Sequence, residues 1–336
     1  MEHHRVILSQ PAQDFTTSLQ LGNGRLGANV YGEVLREQLV INESSMWSGS
    51  RQEADRPDAW RYLPEIRGHL REGREYEAQQ LFAQHFVCAG KGSNFAHGSD
   101  VPFGCYQLMG RLLLSYFQSV SHGRQDSCND RSYHRELDLD RAMASVTFRI
   151  NGISYCREYF VSADYQGIVL HLTSDHPAQV DLSLALDRDE NYRIDHAVAE
   201  FPALLMSGRL PDGKGGQEGV RYACCVGARL RGGRVFMEQL RMHIAGADEA
   251  WIYVTGRTNL QGFMGKPPCD PAAQAVADLR TLLAADPETV YRKHITWYRR
   301  QYNALSLSFT PSGEDPVLEA MPMDQRIARF RAGEPD

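Results

Sequence analysis

The middle of the chain alternates apolar and polar residues with a period of two, the mark of strands that bury one face. Val220, Tyr222, Cys224, Val226, Ala228 and Leu230 share one parity, and Arg221 and Arg229 share the other. Val180, Leu182, Leu184 and Leu186 repeat the pattern, as do Ile168, Leu170 and Leu172. Leu112 to Phe117 is more continuously apolar, and Trp251 to Thr255 supplies a further strand. These segments predict antiparallel sheet. Asn151-Gly152, between ASVTFRI and ISYCREYFV, provides the two left-handed residues of a type I′ turn, so a hairpin is expected there. A second hairpin is expected to turn at Arg231-Gly232-Gly233.

Helical periodicity is confined to a few places. Pro64 to His69 and Glu75 to Phe86 predict a helical insertion, with Ala78, Phe82 and Phe86 on one stripe. Pro271 to Ala285 sets Ala272, Ala275, Val276, Leu279 and Leu283 at helical spacing. Asp286-Pro287 then reads as an N-cap followed by proline at the first helical position, starting a helix that runs to about Asn303. Its stripe of Tyr291, His294, Trp297, Tyr298 and Tyr302 reads as a face docked on the sheet or on another domain.

The stretch Leu21 to Trp47, LGNGRLGANVYGEVLREQLVINESSMW, sets Gly22, Gly24, Gly27 and Gly32 around two apolar segments, Leu26-Ala28-Val30 and Leu39-Val40-Ile41. Glycines so placed mark turns or close backbone approach between two buried strands. Asn42-Glu43-Ser44-Ser45 is expected to leave the sheet as a loop that presents Glu43 and Trp47.

Composition narrows the function classes. The formal charge of −6 with scattered basic residues gives no phosphate-tracking surface, so no nucleic-acid partner is expected. MEHHRVILSQPAQDF lacks the basic and apolar regions of an export signal, and no later run reaches the roughly 20 apolar residues of a spanning helix. No membrane association is expected. The 7 cysteines are odd in number and irregular in spacing, which argues for free thiols and a cytoplasmic home. Without a CxxC pair or an HExxH motif no metal site is expected, and no motif calls for a cofactor. The two sulfurs of Cys224-Cys225, in a strand, should point to opposite sheet faces.

Catalytic motifs are equally sparse. Ser48-Gly49-Ser50 lacks the strand-elbow-helix setting of a nucleophile, and LPDGKGGQEG (Leu210 to Gly219) is not a phosphate loop but a flexible connection. The glycine-rich stretch from Ala89 to Gly104 reads as a long surface loop. Glu43, Glu136, Asp138, Asp140, Glu158, Asp187, Asp189 and Glu190 are carboxylates near strand ends, and each reads as a solvated or salt-bridged group. A glycosidic acid–base pair is a tertiary distance that strand spacing cannot select. Sugar binding favours exposed aromatics beside amides and acids, because C–H faces stack on rings while hydroxyls need partners. Trp47 with Asn42 and Glu43, and Tyr106 with Gln107, are therefore the candidate substrate-binding residues, Trp47 having core or interdomain packing as its alternative role.

Five motifs in order carry a resemblance: LGNGRLGANVYG (Leu21 to Gly32), NESSMWSG (Asn42 to Gly49), YQLMGRLLLSY (Tyr106 to Tyr116), YHRELDLDRAMASVTF (Tyr133 to Phe148) and YCREYFVSADYQGIVLHL (Tyr155 to Leu172). HITWYRRQYNALSLSF (His294 to Phe309) and MPMDQRIARFRAG (Met321 to Gly333) follow them. In these the chain resembles the amino-terminal region of the α-L-fucosidases of glycoside hydrolase family ninety-five. The resemblance implies a mainly β fold, a large antiparallel β-sandwich or super-sandwich with a helical insertion and a C-terminal linker helix. It places the sandwich at residues 1–280, a helical linker at 281–310 and a stub of the (α/α) barrel at 311–336. The implied family reaction is inverting hydrolysis of terminal α-L-fucosyl linkages, with a fucosylated oligosaccharide or related glycan as partner. Related members act on α-L-galactosides. The family's acid, base and asparagines lie in the barrel, so no residue here inherits a catalytic role and this truncated chain alone is expected to be inactive. Departures from the family pattern fall at Gln20, Ser44-Ser45-Met46, Leu108-Met109 and Arg111. Two rival readings are a stand-alone carbohydrate-binding or interaction module, and one half of a split glycosidase completed by a separately encoded catalytic barrel. In the split form the aromatic face of Tyr291 to Tyr302 is the interface.

Overall fold

The structure, a computed structural model, describes residues 4–50, 55–86, 104–116, 133–196, 201–215, 219–260, 269–307, 318 and 321–334. The chain divides into two units. One comprises Met1–Ser44, Leu108–Gly208 and Tyr222–Asp336, the other Ser45–Gln107 and Arg209–Arg221.

The first unit is a mainly β sandwich of two antiparallel sheets. The nine-stranded sheet runs in the order β1 (Arg5–Leu8), β6 (His134–Asp138), β7 (Met143–Ile150), β8 (Ile153–Ser162), β9 (Gly167–Ser174), β16 (Glu249–Thr258), β13 (Arg221–Arg231), β12 (Ala203–Arg209) and β11 (Tyr192–His196). The seven-stranded sheet runs β14 (Arg234–Glu238), β15 (Arg241–Ala247), β10 (Val180–Asp187), β5 (Gly110–Tyr116), β4 (Arg36–Glu43), β3 (Leu26–Val30) and β2 (Leu19–Gly22). The alternating residues of the sequence line up across strands. Leu39 pairs with Leu112, which pairs with Leu186, and in the other sheet Tyr159 pairs with Leu170, which pairs with Ile252. All are buried, as period-two strands packed face to face require.

Several strands of the larger sheet are buried on both faces. Helix α3 (Pro271–Ala284), capped by the Asp270 carboxylate, lays Ala275, Leu279 and Leu282 against Phe160, Val169, Cys225 and Tyr253. At Gly227 an added Cβ would meet Leu279 at 3.2 Å, so the helix lies close to the strand backbone. Cys225 faces this helix and Cys224 the opposite, inner side, as their adjacency in a strand dictates. Burial raises both thiols, Cys225 to about 12, which leaves them inert rather than nucleophilic. The free cysteines among the described residues are Cys105, Cys156, Cys224, Cys225 and Cys269.

The hairpin at Asn151-Gly152 forms as expected, with Ile150 opposite Ile153 and φ of 52° and 84° at the two turn residues. The turn at Arg231-Gly232-Gly233 is different. β13 and β14 belong to different sheets, so the two left-handed glycines carry the chain across the sandwich instead of closing a hairpin. β14 instead pairs with β15 through Gln239 and Leu240, both at positive φ. Neither residue announces a tight turn in sequence.

Helix α4 (Pro287–Tyr302) begins at the Asp286 cap, whose carboxylate accepts the Thr289 amide at 3.0 Å. Its aromatic stripe is docked on the turn after β6. Tyr298 donates to the Leu139 carbonyl at 2.7 Å, Tyr291 bonds the Arg141 guanidinium, and the buried His294 Nε2 meets the Arg141 carbonyl at 2.9 Å. Tyr302 reaches His4 at 3.1 Å. Through these four side chains the face is docked within the first unit. A last helix, α5 (Met323–Arg331), is tied to the end of β1 by Asp324, which accepts from the Ser9 hydroxyl at 2.7 Å.

His294 makes α4 docking sensitive to acid. Burial lowers its pKa below 6.5, outweighing the backbone groups of Arg141, Ala142 and Val161 that favour the protonated ring. The unfolded chain takes up that proton first as pH falls. Its contribution to stability is thus complete above about pH 6.5 and is lost as pH drops from there toward the lower folded-state value. Thermal melts between pH 7.5 and about 5 should fall more steeply for the wild type than for His294→Gln, which keeps a donor to Arg141 but cannot titrate. Parallel curves would refute this assignment.

Two arginines from the larger sheet reach into the β3–β4 turn. Arg135 on β6 donates to the carbonyls of Tyr31 (2.9 Å) and Thr17 (3.0 Å). Arg157 on β8 donates to the Glu33 carbonyl at 2.5 Å and pairs with the Glu37 carboxylate at 3.3 Å, both charged side chains being 0% exposed. Burial pushes the Glu37 pKa up. Arg157, the amides of Gly32 and Gln38 (3.0 Å each) and the Tyr159 hydroxyl (3.2 Å) oppose that shift and stabilise the carboxylate.

The second unit holds the helical insertion, α1 (Leu63–Arg71) and α2 (Glu75–His85). Tyr62 stacks on His85 with ring centroids 3.5 Å apart, and the buried Ala78 marks the packed side of α2. Among the described residues no helix is long and apolar enough to cross a membrane.

Candidate functional site

The candidate binding residues fall in both units. In the first, β4 continues through Asn42 and Glu43, which corrects the expectation of a loop there. The physical reason is parity. Glu37, Leu39, Ile41 and Glu43 share the inward face of β4, and Glu43 pairs in register with buried Leu26. Its carboxylate is therefore not presented to solvent but lies 3% exposed beside Arg25, at 3.4 Å. Arg25 also donates to the Gly256 carbonyl (2.6 Å) and the Gln166 side chain (2.6 Å), and its own carbonyl accepts the Ser44 amide at 2.9 Å. Burial lowers the Arg25 pKa, Arg257 adds repulsion, and Glu43 opposes both. Asn42 lies opposite Gly27, and its amide donates to Asn29 at 3.1 Å. Asn42 and Glu43 thus serve the sheet end directly.

In the second unit the structure brings together Trp47 and Tyr106, 59 residues apart in sequence. They form an isolated antiparallel bridge. The Gln107 amide donates to the Met46 carbonyl at 2.7 Å and the Ser48 amide to the Cys105 carbonyl at 2.9 Å. Trp47 and Tyr106 are therefore a non-hydrogen-bonded pair, the kind whose side chains lie closest on one face. Their ring centroids are 6.0 Å apart at 69°, edge to face, with Trp47 50% and Tyr106 40% exposed. Their neighbours Met46 and Ser48 are buried, so the ribbon alternates strictly, apolar and hydroxyl side chains inward and the indole outward.

The ribbon is clamped from several sides. The Ser48 hydroxyl accepts the Cys105 amide at 2.9 Å, so this serine is a structural clamp. Gly49 donates to the Pro211 carbonyl at 2.7 Å, and the Ser50 hydroxyl to the Asp212 carbonyl at 3.0 Å. The glycine-rich loop after Leu210 is thus anchored over its described part, a role missed in sequence because it uses backbone carbonyls alone. Gly104 ends the second strand in the left-handed region, φ +62°. Gln107 turns its amide to the Cys105 sulfur at 3.2 Å. Most of the loop read at Ala89 to Gly104 lies outside the described residues.

Six of the remaining candidate carboxylates have local partners. Glu136 meets Arg5 (3.3 Å) and His134 (3.1 Å), and Glu158 meets His171 (3.1 Å), whose hydrogen bond lowers the Glu158 pKa. Asp138 accepts the amides of Asp140 (2.9 Å) and Arg141 (3.1 Å), and Asp140 accepts the His4 amide at 3.1 Å. Asp187 and Asp189 share Arg111, the former at 2.8 Å. Among the described residues no three His, Cys, Asp or Glu side chains converge as a metal site would require.

Comparison with known proteins gives this architecture a relation. Over 349 aligned residues the chain is 25% identical to "Alpha-L-fucosidase 2" of Arabidopsis thaliana, covering 97% of this chain and 39% of the relative. It is 29% identical over 161 residues to "Probable alpha-fucosidase A" of Aspergillus niger, covering 48% of this chain and 18% of that protein. The chain therefore spans about two fifths or less of the length of these relatives. A solved structure titled "Putative kojibiose phosphorylase from human microbiome" superposes with a TM-score of 0.45 at 11% identity, covering 90% of this chain and 38% of its own. The family model described as glycosyl hydrolase family 65, N-terminal domain, matches residues 6–262, most of the sandwich described above, and the chain belongs to that family.

Proposed function

We propose that residues 1–336 are the amino-terminal portion of an α-L-fucosidase-like glycoside hydrolase of family ninety-five. The alignment of 97% of the chain with "Alpha-L-fucosidase 2" carries this reading. In it the sandwich occupies residues 1–280, a helical linker 281–310, and the start of an (α/α) barrel 311–336. The enzyme's reaction is inverting hydrolysis of terminal α-L-fucosyl linkages in oligosaccharides, and its compartment is the cytoplasm, where free thiols persist. Inversion needs an acid and a base facing each other across the scissile bond, and neither role is assigned to any residue of 1–336. Among the candidate carboxylates, Glu43 and Asp187 are held by arginine, Glu158 by histidine and Asp138 by backbone amides.

The 336-residue polypeptide alone is therefore expected to release no fucose from 2′-fucosyllactose or a nitrophenyl α-L-fucoside. Each missing acid or base role is worth about 10² to 10⁴ in rate. Sustained, enzyme-proportional fucose release by the purified chain would sink the expectation that residues 1–336 are inactive alone.

A further inference from the structure

We infer that Trp47 and Tyr106 form a preorganised stacking site for a pyranoside, taking the apolar C–H face of one sugar ring. The inference deepens the proposed function and rests on it for the ligand class. Four observations carry it. The two rings are half-exposed although their ribbon neighbours Met46 and Ser48 are buried, so the ribbon projects the rings outward. Their pairing in a non-hydrogen-bonded register puts both on one face of the ribbon. At 69° the rings touch by edge and face and are not stacked on each other. The backbone beneath them is fixed by four hydrogen bonds, Gln107 to Met46, Ser48 to Cys105, Cys105 to the Ser48 hydroxyl and Gly49 to Pro211.

The chemistry of such a site is specific. An aromatic face presents a large, rigid apolar area at low entropy cost, and the indole N–H and phenol O–H place polar atoms at its rim. A pyranose has the matching form, a patch of C–H bonds bordered by hydroxyls, and a 6-deoxy sugar adds a methyl group to that patch. Because the backbone is already fixed, little ordering cost is paid on binding.

The test uses the 336-residue chain with methyl α-L-fucopyranoside, 2′-fucosyllactose and lactose, read by calorimetry and by saturation transfer from protein to sugar protons. Binding in the millimolar range is expected, with saturation strongest on the C–H face. Trp47→Ala and Tyr106→Ala should each weaken it about tenfold, while Trp47→Phe, which keeps a ring, should lose much less. Thermal melts of each variant establish that it is folded. If Trp47→Ala does not fold, Trp47→Phe and Tyr106→Ala decide the matter. Sugar binding that is equally strong in the ring-removing variants overturns the inference but leaves the fucosidase-like assignment standing. Absence of binding by the wild type at about 20 mM sugar overturns it as well, since a stack of this kind should be half-filled well below that. Fucose release, by contrast, bears on the expected inactivity of residues 1–336 and not on the rings.

Discussion

Arg157→Ala should destabilise the sandwich by about 3–5 kcal/mol, the cost typical of removing one partner from a buried ion pair. The guanidinium is wholly buried and faces Glu37 at 3.3 Å. Its removal leaves a carboxylate whose remaining partners are two amides and a phenol, with no countercharge. The Glu33 carbonyl loses its donor, and Phe148, whose ring centroid lies 4.5 Å from the guanidinium carbon, loses its cation. Because Glu37 and Gln38 sit on β4 while Arg157 and Tyr159 sit on β8, the cluster joins the two sheets and damage there is not local. Glu37→Gln should cost less, since the amide still accepts from Gly32 and Gln38. Replacing both members by methionine should recover much of the loss, because the desolvation penalty of both charges disappears with them. Urea unfolding of Arg157→Ala, Glu37→Gln and the variant carrying both of these substitutions forms a cycle that reads the coupling, with the methionine pair measured beside it. Additive single-variant losses would show that the two charges do not support each other.

The same strand explains what sequence pattern can and cannot deliver. The apolar segment Leu39-Val40-Ile41 predicted β4 as a buried strand, and Glu37 and Glu43 share the inward parity of Leu39 and Ile41, at either end of them. Parity alone could therefore have moved Glu43 from an exposed loop to the sandwich interior. The identity of its partner could not, because Arg25 and Arg157 reach β4 from separate hairpins through tertiary contact. Local chemistry succeeded where the determinant was local: the Asn151-Gly152 turn and the Asp286-Pro287 helix start are both where their residues put them. It failed at Gly232-Gly233, where the glycines permit a reversal but only the pairing of β13 with β16 and of β14 with β15 decides which sheet follows. Trp47 and Tyr106 were each legible as sugar-facing candidates. Their meeting was not, since nothing short-range couples residues 59 positions apart.

Gly104→Ala should dismantle the Trp47–Tyr106 ribbon, because the glycine is required twice over. Its φ of +62° costs a side-chain-bearing residue about 1–2 kcal/mol. Its absent Cβ also leaves the only room for the opposing strand: an added carbon would lie closer than 3.0 Å to the Ser48 carbonyl carbon and oxygen and to the Gly49 nitrogen. These are backbone atoms, and they cannot swing aside as a side chain would. Ser48 is bonded to Cys105, and Gly49 is bonded to Pro211. The strands must part, and each bond lost costs about 0.5–1.5 kcal/mol, for a total near 3 kcal/mol or more. Gly73→Ala is the matched control in the same unit. Gly73 has a similar φ of +70° but nothing within 4 Å of an added Cβ, so it bears the conformational cost alone. Hydrogen exchange at the Ser48, Cys105 and Gln107 amides should accelerate strongly in Gly104→Ala and stay near wild type in Gly73→Ala. Trp47 emission should shift as its bridge to Tyr106 opens. Equal protection in the two variants would mean that close approach at Gly104 is not what holds the rings in place.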